Sequence, residues 1–396
     1  MRVHTISIIA AALGFTAAGQ TPPQLPAPYH TPSASNAPRV VPRPGGATLQ
    51  IPAGFDVQEF AAGFERPRYM IQGPSGEILL SDSMKAGSVF ALVDRNRDGR
   101  ISGDEQTQLA TNLDRPFGLA LWKDYLYIAE TTSVKRYKYD SKRLSLGPGE
   151  EVVSLKEAPS GHWTRTILFD AKGDKFYLGV GSQSNVSPGE PEIRAAITRY
   201  NPDGSGREFV ATGTRNPIGM AWYPGTDTLW AAVQERDGLG DDLVPDYFTA
   251  VKPGGFYGWP YSYIGPNEEP RNKGQKPGLV ARTIVPDVVL PAHVAVLDSR
   301  FYTGRQFPKK YQGGAFLAYH GSWNRAQRIG YSVVFVPFKD GRPAGPAEDF
   351  LTGFMTDPNS KEVWGRPVGL LQLNDGSLLV SDDGGNKLWR ITYKAK

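Results

Sequence analysis

The chain has 396 residues, enough for one large domain or two medium ones, with 40% hydrophobic residues and a formal net charge of +4. That charge is small for the length and no block of Lys or Arg concentrates it, which argues against a nucleic-acid partner. Cys is absent, which excludes disulfides, thiolate metal sites and a lipidated cysteine anchor.

Residues 1–19 read as a secretory signal. Arg2 gives the positive start, Ile6 to Ala18 form an apolar run, and Ala17, Ala18 and Gly19 offer a cleavage site. The run is too short to span a bilayer securely, so no stable membrane insertion is expected once the signal is removed. A periplasmic or secreted location follows. Residues 20–48, beginning QTPPQLPAPYHTPSASNAPR, are rich in Pro, Ser and Ala. They cannot build a core and are expected to form an extended tether. The folded domain is placed at 49–396.

From there the chain repeats. ERPRYMIQGPSGEILLSD begins near Arg66, DRPFGLALWKDYLYIAE near Arg115, HWTRTILFDAKGDKFYLGVGS carries Arg165, and TRNPIGMAWYPGTDTLWAAVQE carries Arg215. A related unit follows near His293, and GRPVGLLQLNDGSLLVSDD carries Arg366. In each, a short apolar strand meets a turn and then a second strand. The first four arginines are spaced by 49, 50 and 50 residues. A period near 50 built from strands and hairpin turns marks a β-propeller. Six units are counted, giving an all-β, six-bladed propeller with four-stranded blades; a seventh, degenerate unit would fit between residues 215 and 366. A ligand site is then expected from equivalent positions of different repeats, at one mouth of the channel. The arginines at the strand starts have two readings: turn punctuation, assigned to Arg66 and Arg115, or cations aimed at an anion, assigned to Arg215.

Several stretches carry possible chemistry. DRNRDGRISGDE at 94–105 has the spacing of a Ca²⁺ loop between β-like flanks, and reads as a β-turn or a calcium-stabilised loop without a catalytic part. GHWTR puts His162 ahead of the third repeat, as a general base or a structural histidine. QERDGLGDD gathers Glu235, Asp237, Asp241 and Asp242 around two glycines, a donor set for a hard cation or a solvated acidic loop. GGFYGWPYSYIG could wall a cleft or pack beneath a long loop. AYHGSWNRAQRIG collects His320, Trp323, Asn324, Arg325 and Arg328, suited to an anion with a ring or to a surface loop. Walker, GxGxxG and GxSxG signatures are absent.

Taken together, TRNPIGMAW, ERDGLGDD, GGFYGWPYSY, HGSWNR and GRPVGLLQLNDGSLLVSDD resemble the soluble pyrroloquinoline quinone (PQQ)-dependent sugar dehydrogenases, the sorbosone dehydrogenase-like branch in particular, over residues 50–394. The resemblance implies oxidation of an aldose or sugar aldehyde by hydride transfer to PQQ held with Ca²⁺, with electrons passing to an unidentified acceptor. It implies His162 as general base, Asp241 as its support, and Arg215 and Asn216 beside the reactive quinone carbonyl. Glu235 and the carbonyls of Arg236 and Asp237 would hold Ca²⁺. Arg366 would hold a cofactor carboxylate, with Arg325 or Arg328 in place of the family's lysine. WGRPVG has one arginine where the glucose-oxidising branch has two, and Glu235 stands where that branch has an amide. A Ca²⁺-dependent propeller lactonase and an exported carbohydrate-binding propeller are the alternatives.

Overall fold

The computed structural model describes residues 23–394; the expected signal segment lies outside the described residues. Six four-stranded antiparallel sheets are arranged around a common axis, one of them extended by a fifth, parallel strand. Blade 1 runs through Pro67–Gln72, Ile78–Asp82, Gly87–Leu92 and Gln106–Leu113, innermost strand first. Blade 2 comprises Leu119–Trp122, Tyr125–Ala129, Ser133–Asp140 and Ser145–Ser154. Blade 3 comprises Arg165–Phe169, Phe176–Val180, Ala196–Tyr200 and Glu208–Thr212. Blade 4 comprises Asn216–Trp222, Leu229–Gln234, Pro245–Ala250 and, after a long insertion, Val288–Ala292. Blade 5 comprises Val296–Phe301, Ala315–Tyr319, Ser332–Val336 and Glu348–Leu351. Blade 6 takes Pro367–Gln372, Leu378–Asp382 and Lys387–Tyr393 from the C-terminal part and borrows Phe55–Ala62 as its outer strand. This antiparallel pairing closes the ring, and no seventh blade is present among the described residues.

Both faces of each blade lie against a neighbour near the axis, so the inner strands bury nearly every side chain instead of alternating, while outer strands such as Ser145–Ser154 are largely exposed. Ala315–Tyr319 and Leu378–Asp382 are buried throughout. Phe176, Leu178 and Val180 of blade 3 pack on Ala120, Tyr127 and Ala129 of blade 2. Phe316 and Phe335 of blade 5 pack with Leu370, Val380 and Trp389 of blade 6. Each large apolar side chain among them, such as Phe176, Leu178 or Leu370, contributes about 1.5–3 kcal/mol through removal from water.

The recurring glycine of the repeat has a steric cause. A Cβ on Gly118 would lie 2.5 Å from Arg165 O, on Gly219 2.7 Å from the Asp298 backbone, and on Gly369 2.1 Å from Arg68 O. Innermost strands of neighbouring blades meet there, too closely for a side chain. Buried hydroxyls lace the same seam: Ser81 Oγ donates to Phe117 O (2.8 Å), Thr166 Oγ1 to Ile218 O (2.5 Å) and Ser381 Oγ to Arg68 O (2.5 Å).

Residues 23–48 are extended, as their composition dictates, but they lie along the propeller instead of leaving it, and Arg39–Val40 pairs in parallel with Glu362–Val363. The 94–105 loop is a turn bonded within itself. Glu105 accepts from the backbone N–H of Arg95 (2.7 Å), Asn96 (3.2 Å) and Ser102 (3.0 Å), which holds its carboxyl down at about 2. Among the described residues no group of three or more His, Cys, Asp or Glu side chains is placed to hold a metal ion, and no helix is long and apolar enough to cross a membrane.

Candidate active site

One cavity of about 280 Å³ lies at the channel mouth, lined by ends and starts of strands from five blades. Arg68 comes from blade 1, His162 from the loop before blade 3, and Arg215 and Asn216 from the start of blade 4. Glu235 and Asp237 follow the second strand of blade 4, His320 follows that of blade 5, and Arg366 precedes blade 6. The repeat therefore builds the site from equivalent positions. An adjoining lobe of about 410 Å³ shares His162, Arg215, Asp237 and Trp323, and adds Gln183, Ser184 and Asn185. Trp323, 44% exposed, stands at the lip of both.

His162 Nδ1 lies 2.8 Å from Ser182 O, an oxygen that can only accept, so this nitrogen carries the proton. Nε2 is left as the unprotonated nitrogen, without a protein partner among the described residues. Burial, followed by the Arg215 charge, lowers the ring to about 3, so it is neutral at physiological pH. A neutral imidazole with one nitrogen anchored and the other free is poised to accept a proton.

Arg215 is fixed from three directions. Nη1 donates to Glu235 O (2.7 Å), Nε to Asn185 O (3.1 Å), and Nη2 to Asn185 Oδ1 (3.0 Å) with Asp237 Oδ2 at 3.4 Å. Asp237 also faces His293 Nδ1 (3.3 Å), whose Nε2 lies 2.9 Å from Gly240 O. Both ring nitrogens of His293 face acceptors; burial favours the neutral ring, but the Asp237 bond outweighs it and raises the pKa. For Asp237, burial works against ionisation but is outweighed by His293 and Arg215, and its carboxyl is lowered.

Two buried oxygens in the wall have no hydrogen-bond partner among the described residues, Glu235 Oε1 and Asn216 Oδ1. Burial pushes the Glu235 carboxyl up to about 8. Orphaned acceptors of this kind are costly unless something fills the space beside them. The Asp237 carbonyl already accepts from Asn185 Nδ2 (2.8 Å), and the Arg236 side chain turns to Glu269 (3.2 Å), away from the cavity.

Behind Arg68 and His320, which line the cavity, Asp383 accepts from Arg68 Nη2 (2.5 Å) and from His320 Nε2 (2.8 Å). Burial, then Arg366, pushes His320 down to about 3; Asp383 is lowered because Arg68 and His320 outweigh its burial. Arg366 donates through Nε to His320 O (3.3 Å), and its two terminal nitrogens carry no protein partner among the described residues. They remain available to a carboxylate.

The structure thus brings together His162, Arg215, Asn216, Glu235, Asp237 and Arg366. It does not bring Asp241, Arg325 or Arg328 to the cavity. Asp241 Oδ1 accepts from Ala326 N (3.0 Å), and Ser182, not Asp241, supports His162. Arg325 is held by Asp241 O (2.5 Å) and Asp242 (2.8 Å). Arg328 is fully buried on Ser360 O (2.8 Å) and Asn36 (2.6 Å). Arg165 is spent on Ala158 O (2.7 Å), His162 O (2.7 Å) and Thr164 O (2.9 Å), while Arg66 and Arg115 are exposed outside the cavity. The aromatics of 254–265 pack beneath their loop, where Trp259 Nε1 donates to Asn185 O (2.9 Å) and so backs Arg215 indirectly. Sequence reasoning missed Arg68 and Asp383. The available signals were the second arginine of RPRY, inside a strand instead of before it, and the acidic pair closing LLVSDD.

A family model described as TrAA12-like matches residues 49–247 and 278–394. An uncharacterized protein of Borreliella burgdorferi is 32% identical over 362 residues, covering 88% of this chain and 92% of its own. A pyrroloquinoline quinone-dependent pyranose dehydrogenase of Coprinopsis cinerea is 28% identical over 293 residues, covering 58% of this chain and 39% of its own. Among solved structures, the calcium form of a Trichoderma reesei Carbohydrate-Active Enzymes Family AA12 protein superposes with a TM-score of 0.76 at 21% identity, over 91% of this chain and 100% of that one. The holo PQQ domain of the Coprinopsis cinerea pyranose dehydrogenase gives 0.72 at 21% identity, over 89% and 98%. The propeller carries one mouth cavity built from repeat-equivalent positions, the family match spans most of it, and the chain belongs to the TrAA12-like family.

Proposed function

We propose that the protein is an exported quinoprotein oxidoreductase that oxidises a pyranose, aldose or sorbosone-like sugar aldehyde, using PQQ and Ca²⁺. The observation that carries this reading is His162: its Nδ1 is anchored and its free Nε2 faces a cavity walled by Arg68, Arg215 and Arg366. The residues fit the cofactor. Three guanidiniums suit a tricarboxylate, and the free terminal nitrogens of Arg366 are the natural fork for one carboxylate. The orphaned Glu235 Oε1 and Asn216 Oδ1 suit a hard cation, which prefers oxygen donors. When bound, the quinone supplies the hydride acceptor. His162 Nε2 takes the proton from the substrate hydroxyl at the carbon being oxidised. Arg215, immobilised by its four donor contacts, presents a fixed positive field to negative charge that develops beside it. Trp323 and the polar lobe of Gln183, Ser184 and Asn185 lie beside the base, where a sugar ring can be stacked and hydrogen-bonded.

The test is reconstitution of the purified protein with PQQ and Ca²⁺, followed by dye-linked oxidation of a panel of pyranoses, aldoses and sugar aldehydes. Sugar-dependent dye reduction that needs both additions supports the reading. Lactone hydrolysis without quinone would replace it with a hydrolase.

A further inference from the structure

The matched family region begins at residue 49, and the segment before it is bonded to the lip of the cavity. Tyr29 N donates to Leu239 O (2.7 Å), and Thr31 Oγ1 accepts from Asp241 N (2.7 Å). Asn36 is the hub. Its N–H donates to Trp323 O (2.7 Å) and its side-chain amide donates to Ala326 O (2.8 Å) and Arg325 O (3.2 Å). Its carbonyl and Oδ1 each accept from the Arg328 guanidinium at 2.6 Å. One further link leads inward: Asn324 Nδ2 donates to Ala34 O (2.5 Å) while its Oδ1 accepts from Gly238 N (2.8 Å), beside Asp237. The closeness of the segment explains the second glycine of ERDGLGDD. Gly240 has φ +116°, and a Cβ there would lie 2.9 Å from Thr31 O.

We propose that residues 29–41 form a strap whose function is to set the lip of the active cavity, with Asn36 and Asn324 as positioning residues for Trp323 and Asp237. Neither asparagine lines the cavity. They act through the two loops, 235–242 and 321–328, which otherwise have no regular structure to hold them. Partners of this second layer commonly change ligand affinity by ten- to a hundredfold when removed. Of the predictions drawn from the strap, the one on quinone affinity rests on the proposed function; the one on lip dynamics does not.

Asn36→Ala removes the hub, Thr31→Val removes only the bond to Asp241, and Arg43→Ala is a control beyond the lip. Hydrogen exchange on the full chain should show amides of 237–242 and 321–328 exchanging about tenfold faster in Asn36→Ala, with the innermost strands unchanged. Thr31→Val should affect 237–242 alone, and Arg43→Ala neither loop. Fluorescence titration with PQQ in Ca²⁺ should then give a dissociation constant raised about tenfold in Asn36→Ala. Unchanged lip exchange in Asn36→Ala and Thr31→Val, or a uniform rise across all blades, overturns the proposal. If the wild-type chain binds no PQQ, the proposed function fails and the exchange pattern still decides the strap.

Discussion

Asp383→Asn probes the buried charge cluster that shapes one wall of the site. Asp383 is 5% exposed in its side chain and receives Arg68 and His320 on separate oxygens. Asparagine keeps the volume but offers one acceptor where two donors converge, so one donor faces an amide N–H. Breaking a buried ion pair by removing one partner costs about 3–5 kcal/mol, because the remaining charge stays desolvated. At ~2.1 cal/mol/K per residue, unfolding the described chain carries an entropy of about 0.8 kcal/mol/K, so the expected fall in Tm is about 4–6 °C. The pH sign is fixed by the lowered carboxyl. A depressed acid stabilises above its unfolded value of 3.8 and loses that contribution as pH falls towards its folded one. The wild type should therefore exceed Asp383→Asn by the full margin at pH 6, with the gap closing only below about pH 4. Urea unfolding of both proteins at pH 6 and pH 3 measures it. A loss under about 1 kcal/mol at pH 6 would mean that Arg68 is solvated through the cavity, and the electrostatic reasoning fails.

The remaining predictions concern the base, the seam and the cofactor arginine. His162 is near 3 when folded and 6.5 when unfolded, so acidification between those values protonates the unfolded chain alone and removes stability. His162→Gln should flatten the dependence of stability on pH between 4 and 6 by up to ~1.4 kcal/mol per unit; an unaltered slope contradicts the buried neutral ring. Gly219→Ala drives a Cβ into the Asp298 backbone at 2.7 Å and should cost about 1–3 kcal/mol in urea unfolding. Arg366→Ala should weaken PQQ binding about tenfold or more while moving Tm little, since among the described residues that guanidinium makes only one hydrogen bond.

The blades were legible because their constraint is local. Blades 2, 4 and 6 need a glycine where a neighbouring blade approaches, most innermost strands open on or just after an arginine or proline and end in a tight turn, and the first four repeats recur about every fifty positions. The strand that closes the ring was not. Phe55–Ala62 precedes the first repeat, carries no turn signature of its own, and is defined only by its pairing with Lys387–Tyr393. The site divides the same way. His162, Arg215, Asn216, Glu235 and Arg366 sit at strand starts and ends, so the repeat itself places them at the mouth. Asp241, Arg325 and Arg328 have the right chemistry but are spent elsewhere: Asp241 and Arg325 tie the two lip loops to each other, and Arg328 is held by the strap, a Pro-rich segment without periodicity whose docking no pattern announces. The Asp383–His320 pair joins residues 63 positions apart through the contact of blades 5 and 6.

The central claim is a quinone-binding cavity served by one base, and it is tested most directly by titrating wild-type and His162→Gln protein with PQQ in the presence of Ca²⁺ and then adding sugar. Both proteins should bind PQQ saturably with similar affinity, and only the wild type should reduce an acceptor dye, with the variant slower by about a hundredfold or more. Absence of saturable binding in the wild type, or equal turnover in the two proteins, contradicts the account.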